Sequence, residues 1–133
     1  MTSFAFRKEQ RLRRPADFER VYQLRCRSSD RFLLVFAAAN QLPVTRLGLS
    51  VSRKQGGAVV RNYIKRRLRE AFRLTQQEFP PGLDLIVIPK QGVRAGVAEY
   101  QASLRNAVRY LARRVSAAKP AAPEPQANTT PPT

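Results

Sequence analysis

The feature that most constrains this sequence is its excess of positive charge. The 133 residues include 25 Lys and Arg but only nine Asp and Glu, which gives a formal net charge of +16 at pH 7. Hydrophobic residues still make up 43% of the chain, enough for the core of one domain. Twenty of these basic residues are Arg, whose planar guanidinium can bind phosphate at two points and stack on bases, so nucleic acid is the predicted partner. No apolar run is long enough to cross a membrane, so no membrane partner is predicted.

Residue types that usually perform catalysis are scarce. The chain has no His, and its single Cys26 has no internal disulfide partner, which indicates a reducing compartment such as the cytoplasm. The acidic residues are scattered along the sequence, and even Asp17 and Glu19 have a spacing that separates them on a helix. We therefore predict no catalytic residue, cofactor or metal site on this chain. The alternative, a nuclease using Asp17, Glu19, Glu99 and a metal ion, is disfavoured by this dispersion.

Composition predicts three parts. Residues 1–14 contain five basic side chains and are predicted to form a flexible arm. Residues 15–118 are predicted to form the folded domain. Residues 119–133, KPAAPEPQANTTPPT, hold five of the ten prolines and no large apolar side chain, which predicts a disordered tail.

Apolar periodicity predicts the order α-β-β-β-α-β-α, an α+β two-layer sandwich. The predicted helices cover about residues 15–24, 60–79 and 97–117. The predicted strands cover 31–40 and 45–53, which run antiparallel, a buried strand at 83–89, and a short additional strand within 25–29.

The helix predicted over 60–79 carries the strongest functional signal. At 100° per residue, apolar side chains from Val60 to Thr75 share one arc that can face a sheet. A neighbouring arc is almost entirely basic, and like charges repel, so this face predicts an anionic partner instead of simple solvation. One residue of this arc, Asn62, is not basic, and its side chain could instead cap the start of the helix. The basic arc consists of Arg61, Asn62, Lys65, Arg66, Arg69 and Arg73.

Residues 48–73, GLSVSRKQGGAVVRNYIKRRLREAFR, resemble the signature region of the bacterial ribonuclease P protein component, in which an Arg-Asn dipeptide precedes a basic helix. RLRRPADFERVYQ resembles the first helix of that family, FLLVF and LGLSVS its sheet, and LDLIVIPK its later strand, so the match covers about residues 11–114. Three positions depart from the pattern. Tyr63 replaces a common basic residue, Gln55 an aliphatic one, and Arg25 a frequent turn glycine.

The resemblance implies a fold similar to the second domain of ribosomal protein S5, in which the long helix joins two parallel strands by a left-handed crossover, against the usual hand. It also implies a protein subunit that assists a catalytic RNA, with Mg²⁺ bound in that RNA, in removing the 5′ leader from precursor tRNA. A ribosome-associated or RNA-folding protein with the same fold is the alternative.

The resemblance further implies two RNA-binding regions. Cations of the basic helix, with Asn62, would contact the catalytic RNA subunit. A cleft between the first helix and the sheet would hold the single-stranded leader, where rings stack on bases of any identity. For the two aromatic residues predicted to lie in this cleft, Phe18 and Tyr22, the alternative is burial in an ordinary core. The predicted leader-binding residues are Phe18, Tyr22, Val35, Arg53 and Lys54, of which Val35 is chosen by its position in the family pattern. For Arg53 and Lys54 the alternative is contact with the RNA subunit.

Overall fold

The helices and strands follow one another in the predicted order, α-β-β-β-α-β-α, over residues 8–117, the part of the chain that the computed structural model describes. The helices are α1, Pro15–Leu24; α2, Ala58–Thr75; and α3, Val97–Ala117. The strands are β1, Arg27–Ser29; β2, Leu33–Ala39; β3, Arg46–Leu49; and β4, Leu83–Pro89. Short 3₁₀ turns cover Lys8–Gln10, Arg53–Gln55 and Gln76–Glu78. The predicted bounds of α1 and α3 are confirmed, whereas α2 begins earlier and ends sooner than predicted. No helix among these residues is long and apolar enough to span a membrane.

The four strands form one mixed sheet in the order β1-β2-β4-β3. Strand β2 is antiparallel to both β1 and β4, whereas β3 is parallel to β4. The parallel β3-α2-β4 crossover agrees with the resemblance. The strands predicted over 31–40 and 45–53 are not neighbours, because β4 lies between them. Strand β4 takes the central position since it is apolar along nearly its whole length and is buried on both faces.

Helices α2 and α3 cover one face of the sheet and close the larger core. Side chains alternate along β2 and β4, so every second residue points to this face. Leu33, Val35, Leu85 and Val87 lie there against Phe72 of α2. Leu104, Val108 and Leu111 of α3 complete this core.

Helix α1 covers the opposite face and forms a much smaller core. The buried apolar side chains on this side are Val21 of α1, Ala38 of β2, Ile86 of β4 and Leu12. The predicted α+β sandwich is therefore confirmed, with α1 as a small additional layer. Because a single ten-residue helix cannot cover the whole sheet, part of this face stays open.

The segment before α1 is docked on the sheet. Leu12 is 3% exposed, and its backbone N–H donates to the carbonyl of Leu47 over 2.9 Å. Arg11 forms a parallel bridge with Leu47, so the segment covers the outer edge of β3. The prediction of a flexible arm is wrong for residues 8–14, because burial of Leu12 fixes this segment. The remaining residues of the predicted arm and the tail predicted over 119–133 lie outside the described residues.

A buried carboxylate ties α1 to the sheet. Asp84 of β4 is fully buried and accepts hydrogen bonds from Arg46 Nε over 2.8 Å and Arg46 Nη2 over 2.7 Å. It also accepts one from the Asn40 amide over 2.8 Å and pairs with Arg20 of α1. The hydrogen bond to Asp84 raises the pKa of Arg46. Because three structural elements meet at one charge, the cluster fixes the position of α1 over the sheet.

Helix α1 ends in a conformation that L-residues seldom adopt. Arg25 has φ 56° and ψ 19°, in the left-handed region, and its N–H donates to the carbonyl of Tyr22. Glycine is the usual residue at this position after a helix because it has no Cβ to clash. Arg25 therefore holds a turn in which its Cβ is sterically unfavourable.

Candidate nucleic-acid interface

The basic face predicted on α2 is present, but its members differ in how much they are engaged within the chain. Arg66 and Arg69 are exposed, and Lys65 is half-buried. Arg61 donates through Nε to the carbonyl of Gly56 over 3.2 Å. Arg73 donates to both carboxylate oxygens of Glu70, over 3.0 and 2.7 Å, and this ion pair raises the pKa of Arg73. The exposed positive charge is therefore concentrated in the middle of the helix.

Asn62 is not a helix cap. Helix α2 begins at Ala58 and its N-cap is Gly57, so Asn62 is the fifth residue of the helix. Its side chain is exposed on the same side as the basic residues. The capping alternative is wrong because the helix starts earlier than predicted, and an exposed amide remains on the basic face.

The first turn of α2 extends beyond the core, and Ile64 in the second turn is only partly buried against it. The predicted apolar arc is buried only from Leu68 onward, whereas Val60 is 44% exposed. The ring of Tyr63 lies under the guanidinium of Arg67, whose Cζ is 4.2 Å from the ring centroid. Arg67 also donates to the carbonyl of Ala95 over 2.6 Å. The side chain of Arg67 is thus held by contacts within the protein and does not belong to the basic face.

On the open face of the sheet, α1 and two strands bring together a cluster of half-exposed apolar side chains, which we call the aromatic groove: Phe18, Tyr22, Phe36 and Ile88. The Tyr22 and Phe36 rings meet edge to face with centroids 4.9 Å apart, and the Phe18 and Tyr22 centroids are 6.3 Å apart. The guanidinium of Arg27 lies 5.9 Å from the centroid of Phe36. Rings that are partly exposed beside a cation can stack on nucleic-acid bases.

Gly48 of β3 sets how closely α1 approaches the sheet. A Cβ at this position would lie 2.7 Å from Cζ of Phe18 and 3.1 Å from Cβ of Leu12. Real Cβ atoms do not approach neighbours this closely, so only glycine fits here without a shift. The ring of Phe18 therefore rests directly on the backbone of β3.

Val35 does not line the aromatic groove. Its side chain is fully buried in the larger core, on the face of β2 that α2 and α3 cover. The prediction that Val35 binds the leader is wrong because adjacent residues of a strand point to opposite faces. Its neighbour Phe36 occupies the groove instead.

Arg53 and Lys54 are both exposed in the 3₁₀ turn that follows β3. The side-chain amide of Gln55 donates to the carbonyl of Pro89 over 2.9 Å, which fixes this turn to the end of β4. Ile88 of the aromatic groove precedes Pro89, so the two cations lie at the same end of the sheet as this part of the groove.

Sequence reasoning missed two members of this surface, Ile88 and Arg27, and it preferred Val35 to Phe36 on β2. The alternation of β2 did place Phe36 and Val35 on opposite faces, but it did not indicate which face α1 covers. Ile88 belongs to a continuous apolar run, which carries no signal for either face. Arg27 lies in a three-residue strand, too short for a pattern.

The carboxylates are dispersed, and most of those with contacts in the structure serve the fold. Asp17 lies 3.8 Å from Arg46, Glu78 pairs with Arg105, and Glu99 accepts a hydrogen bond from the N–H of Gly96. Across residues 8–117 no group of three Asp, Glu or Cys side chains is placed to hold a metal ion. Asp17, Glu19 and Glu99 are not brought together into such a group.

Comparison with known proteins agrees with this geometry. The family model for ribonuclease P matches residues 6–115. The ribonuclease P protein component of Petrotoga mobilis is 32% identical over 118 residues, covering 88% of this chain and 100% of the relative. The corresponding protein of Geobacillus thermodenitrificans is 36% identical over 105 residues, covering 77% of this chain and 87% of the relative.

Solved structures of this family superpose over most of the described residues. The RNase P protein of Staphylococcus aureus gives a TM-score of 0.67 at 35% identity, covering 78% of this chain and 95% of that protein. The RNase P protein from Thermotoga maritima gives 0.67 at 31% identity, covering 77% and 96%. Sequence, fold and basic helix together show that the chain belongs to the ribonuclease P protein family, as a protein component that serves in tRNA processing.

Proposed function

We propose that this chain is a noncatalytic RNA-binding subunit of the ribonuclease P holoenzyme. In this proposal the basic face of α2 binds the catalytic RNA subunit, and the aromatic groove binds the 5′ leader of precursor tRNA. The RNA subunit, with its bound Mg²⁺, performs the cleavage, and the protein itself holds no cofactor. The holoenzyme acts in the cytoplasm, where Cys26 needs no disulfide partner.

The observation that carries the proposal is the separation of two surfaces with different chemistry. The α2 face presents exposed cations, which neutralise phosphates without regard to sequence. The aromatic groove presents rings, which stack on single-stranded bases of any identity. A subunit that must hold one structured RNA and many different leaders needs both kinds of surface.

The carboxylates support a noncatalytic role. Metal-dependent phosphodiester cleavage by a protein usually needs several acidic side chains that converge on one point. Here Asp84 is enclosed by two arginines, and Glu70 and Glu78 pair with neighbouring arginines. These acids stabilise the fold and are not arranged to hold reacting groups.

Reconstitution tests the division of labour. The purified chain alone is expected to leave precursor tRNA intact, and mixing it with the cognate RNA subunit at low Mg²⁺ is expected to restore release of the leader. Cleavage by the protein alone, after stringent purification, would refute the proposal. Capture of ribosomal RNA in place of the RNA subunit from a cell extract would favour a ribosome-associated protein instead.

A matched pair of double variants tests the basic face. R66Q/R69Q removes two exposed charges from α2, whereas R109Q/R113Q removes two exposed charges from α3. Binding of the RNA subunit is expected to weaken and to lose salt dependence in the first variant much more than in the second. Equal losses would show that only net charge matters.

The aromatic groove is tested with substrates that differ only in the leader. Y22A is expected to reduce affinity of the holoenzyme for precursor tRNA by about 5- to 100-fold, the range of one lost stacking contact, while binding of mature tRNA is unchanged. Y110A removes an exposed tyrosine from α3 and serves as the control. An equal loss for mature tRNA would contradict leader binding by the groove.

A further inference from the structure

The start of α2 exposes an apolar cluster, which we call the α2 tip: Val59, Val60 and Tyr63. The exposed fraction is 83% for Val59, 44% for Val60 and 50% for Tyr63. Single apolar residues are ordinary on a surface, but these three are neighbours, because residues three and four apart lie on one side of a helix. The two valines are β-branched, which disfavours a helix unless packing compensates. The cluster thus contributes little to folding, which indicates a role in binding.

The ring of Tyr63 is held in a fixed orientation. The guanidinium of Arg67 lies over one face of the ring, with Cζ 4.2 Å from the centroid, and it also donates a hydrogen bond to the Tyr63 hydroxyl. Arg67 is itself anchored, because it donates to the carbonyl of Ala95 over 2.6 Å. The exposed half of the Tyr63 side chain therefore lies on the sides that Arg67 leaves uncovered. A ring that is already ordered loses little conformational entropy when a flat ligand stacks on it.

The surroundings of the α2 tip are positively charged. Residues 31–69 contain no Asp or Glu, so every charged side chain in the segment around the tip is basic. Asn62 and Arg66 of the basic face stand three positions after Val59 and Tyr63 and therefore lie beside them. The first turn of α2 also has no acidic residue to offset the positive end of the helix dipole. A partner that combines an apolar surface with negative charge fits this site.

We propose that the α2 tip binds one unpaired base of the catalytic RNA subunit, with the base stacked on Tyr63 and its edge against Val59. The inference rests on the proposed function and adds a base contact to the phosphate contacts of the basic face. A phosphate gains nothing from an apolar side chain, whereas an RNA strand presents flat bases next to its phosphates. The base is unpaired, because stacking inside a duplex covers the faces of paired bases. A second copy of this chain is disfavoured, since it carries the same charge.

The first test measures affinity for the RNA subunit at several salt concentrations. Y63A is expected to weaken binding by about 5- to 100-fold, the range of one lost stacking contact. The slope of log affinity against log salt is expected to stay unchanged, because no phosphate contact is lost, whereas R66Q/R69Q is expected to make it less steep. Y110A is the matched control, since Tyr110 is 46% exposed and lies under Arg114, with Cζ 4.6 Å from the ring centroid.

Each alternative gives a different result in this comparison. Y63F keeps the ring and is expected to bind as tightly as the unaltered chain. A less steep salt slope in Y63A would overturn the proposal, because the ring would then act only by placing the charge of Arg67. A loss confined to precursor tRNA would also overturn it. So would a loss of self-association, measured by sedimentation, with unchanged affinity for the RNA subunit.

The second test observes the stacked base directly. The chain contains no Trp, so Y63W and Y110W each introduce a single Trp fluorophore. A base stacked on the indole quenches its emission. Saturation with the RNA subunit is therefore expected to quench Y63W strongly and Y110W weakly. Equal quenching in the two variants, or none in Y63W, would overturn the proposal.

The two tests separate this inference from the proposed function. If the unaltered chain fails to bind the RNA subunit at all, the proposed function is refuted, and the inference falls with it. If the unaltered chain binds the RNA subunit but Y63A binds as tightly as Y110A, only the inference about the α2 tip is refuted. Circular dichroism of each variant verifies that the fold is intact.

Discussion

The two faces of the sheet use the same strands in opposite ways. Helices α2 and α3 seal one face over a large core, whereas α1 alone covers the other and leaves Phe18, Tyr22 and Phe36 half-exposed. Burial on the sealed face supplies most of the stability, because hydrophobic stabilisation follows the apolar area removed from water. The open face retains apolar surface that a ligand can still cover. The large core and the proposed binding surface thus lie on different sides of β2 and β4.

Truncating one phenylalanine on each face gives the largest expected contrast. F72A leaves a cavity in the sealed core and is expected to lower the free energy of unfolding by about 3–5 kcal/mol. F36A removes a ring that is already partly exposed, so we expect a loss of about half that or less. Denaturant unfolding of both variants measures the difference. Equal losses would show that the open face contributes as much to stability as the sealed one.

The buried charge beneath α1 gives the next largest effect. D84N keeps the shape of the side chain but leaves Arg20 and Arg46 without their counter-charge, which is expected to cost about 3 kcal/mol. R20Q is expected to cost less, because the side chain of Arg20 is 39% exposed and Arg46 still pairs with Asp84. Urea unfolding ranks the two variants. If R20Q costs as much as D84N, the contact with α1 dominates the cluster.

A gain in stability is expected at the end of α1. R25G removes the steric cost of the left-handed conformation at φ 56° and is expected to stabilise the protein by about 1 kcal/mol. R25A also removes the charge and the long side chain but retains a Cβ, so it is expected to give no such gain. Thermal unfolding compares the two variants. A similar gain in R25A would assign the effect to charge instead of backbone conformation.

The smallest effect concerns Asp30, which links the β1–β2 turn to α3 on the sealed side. Burial opposes its ionisation, but hydrogen bonds from Ser103 and from the N–H groups of Leu33 and Phe32 outweigh this, so its pKa lies below the usual value. A lowered carboxyl pKa contributes stability above the unfolded pKa of about 4, and that contribution is lost as pH falls through the folded value.

We therefore expect D30N to be less stable than the unaltered chain between pH 5 and 7, with the difference shrinking below about pH 4. Unfolding curves measured across this range provide the comparison. S103A removes only one of the hydrogen bonds that lower the pKa of Asp30, so its deficit is expected to be smaller and to shrink over the same pH range. A difference between D30N and the unaltered chain that stays constant down to pH 2 would contradict a charge-linked contribution.

The sequence predicted the helices and strands whose formation depends on residues close together in the chain. Pro15 opens α1 as predicted, the apolar stripe of α3 matches its buried side, and the basic face of α2 follows from helical geometry alone. Three features depended on distant contacts. The insertion of β4 between β2 and β3, the face of β2 that α1 covers, and the docking of Leu12 all require partners far along the chain. Leu12 is one apolar residue among basic ones, so no periodicity marks it.

The missing side chain at Gly48 also has a consequence for the aromatic groove, because the Phe18 ring at one side of this groove rests on the backbone of Gly48. A methyl group there would act as a wedge under the ring of Phe18 and lift α1 away from β3. The spacing between α1 and β3 is thus controlled by a residue that contributes no side-chain atom to the aromatic groove. The absence of a single Cβ atom at Gly48 therefore fixes how closely α1 packs on β3.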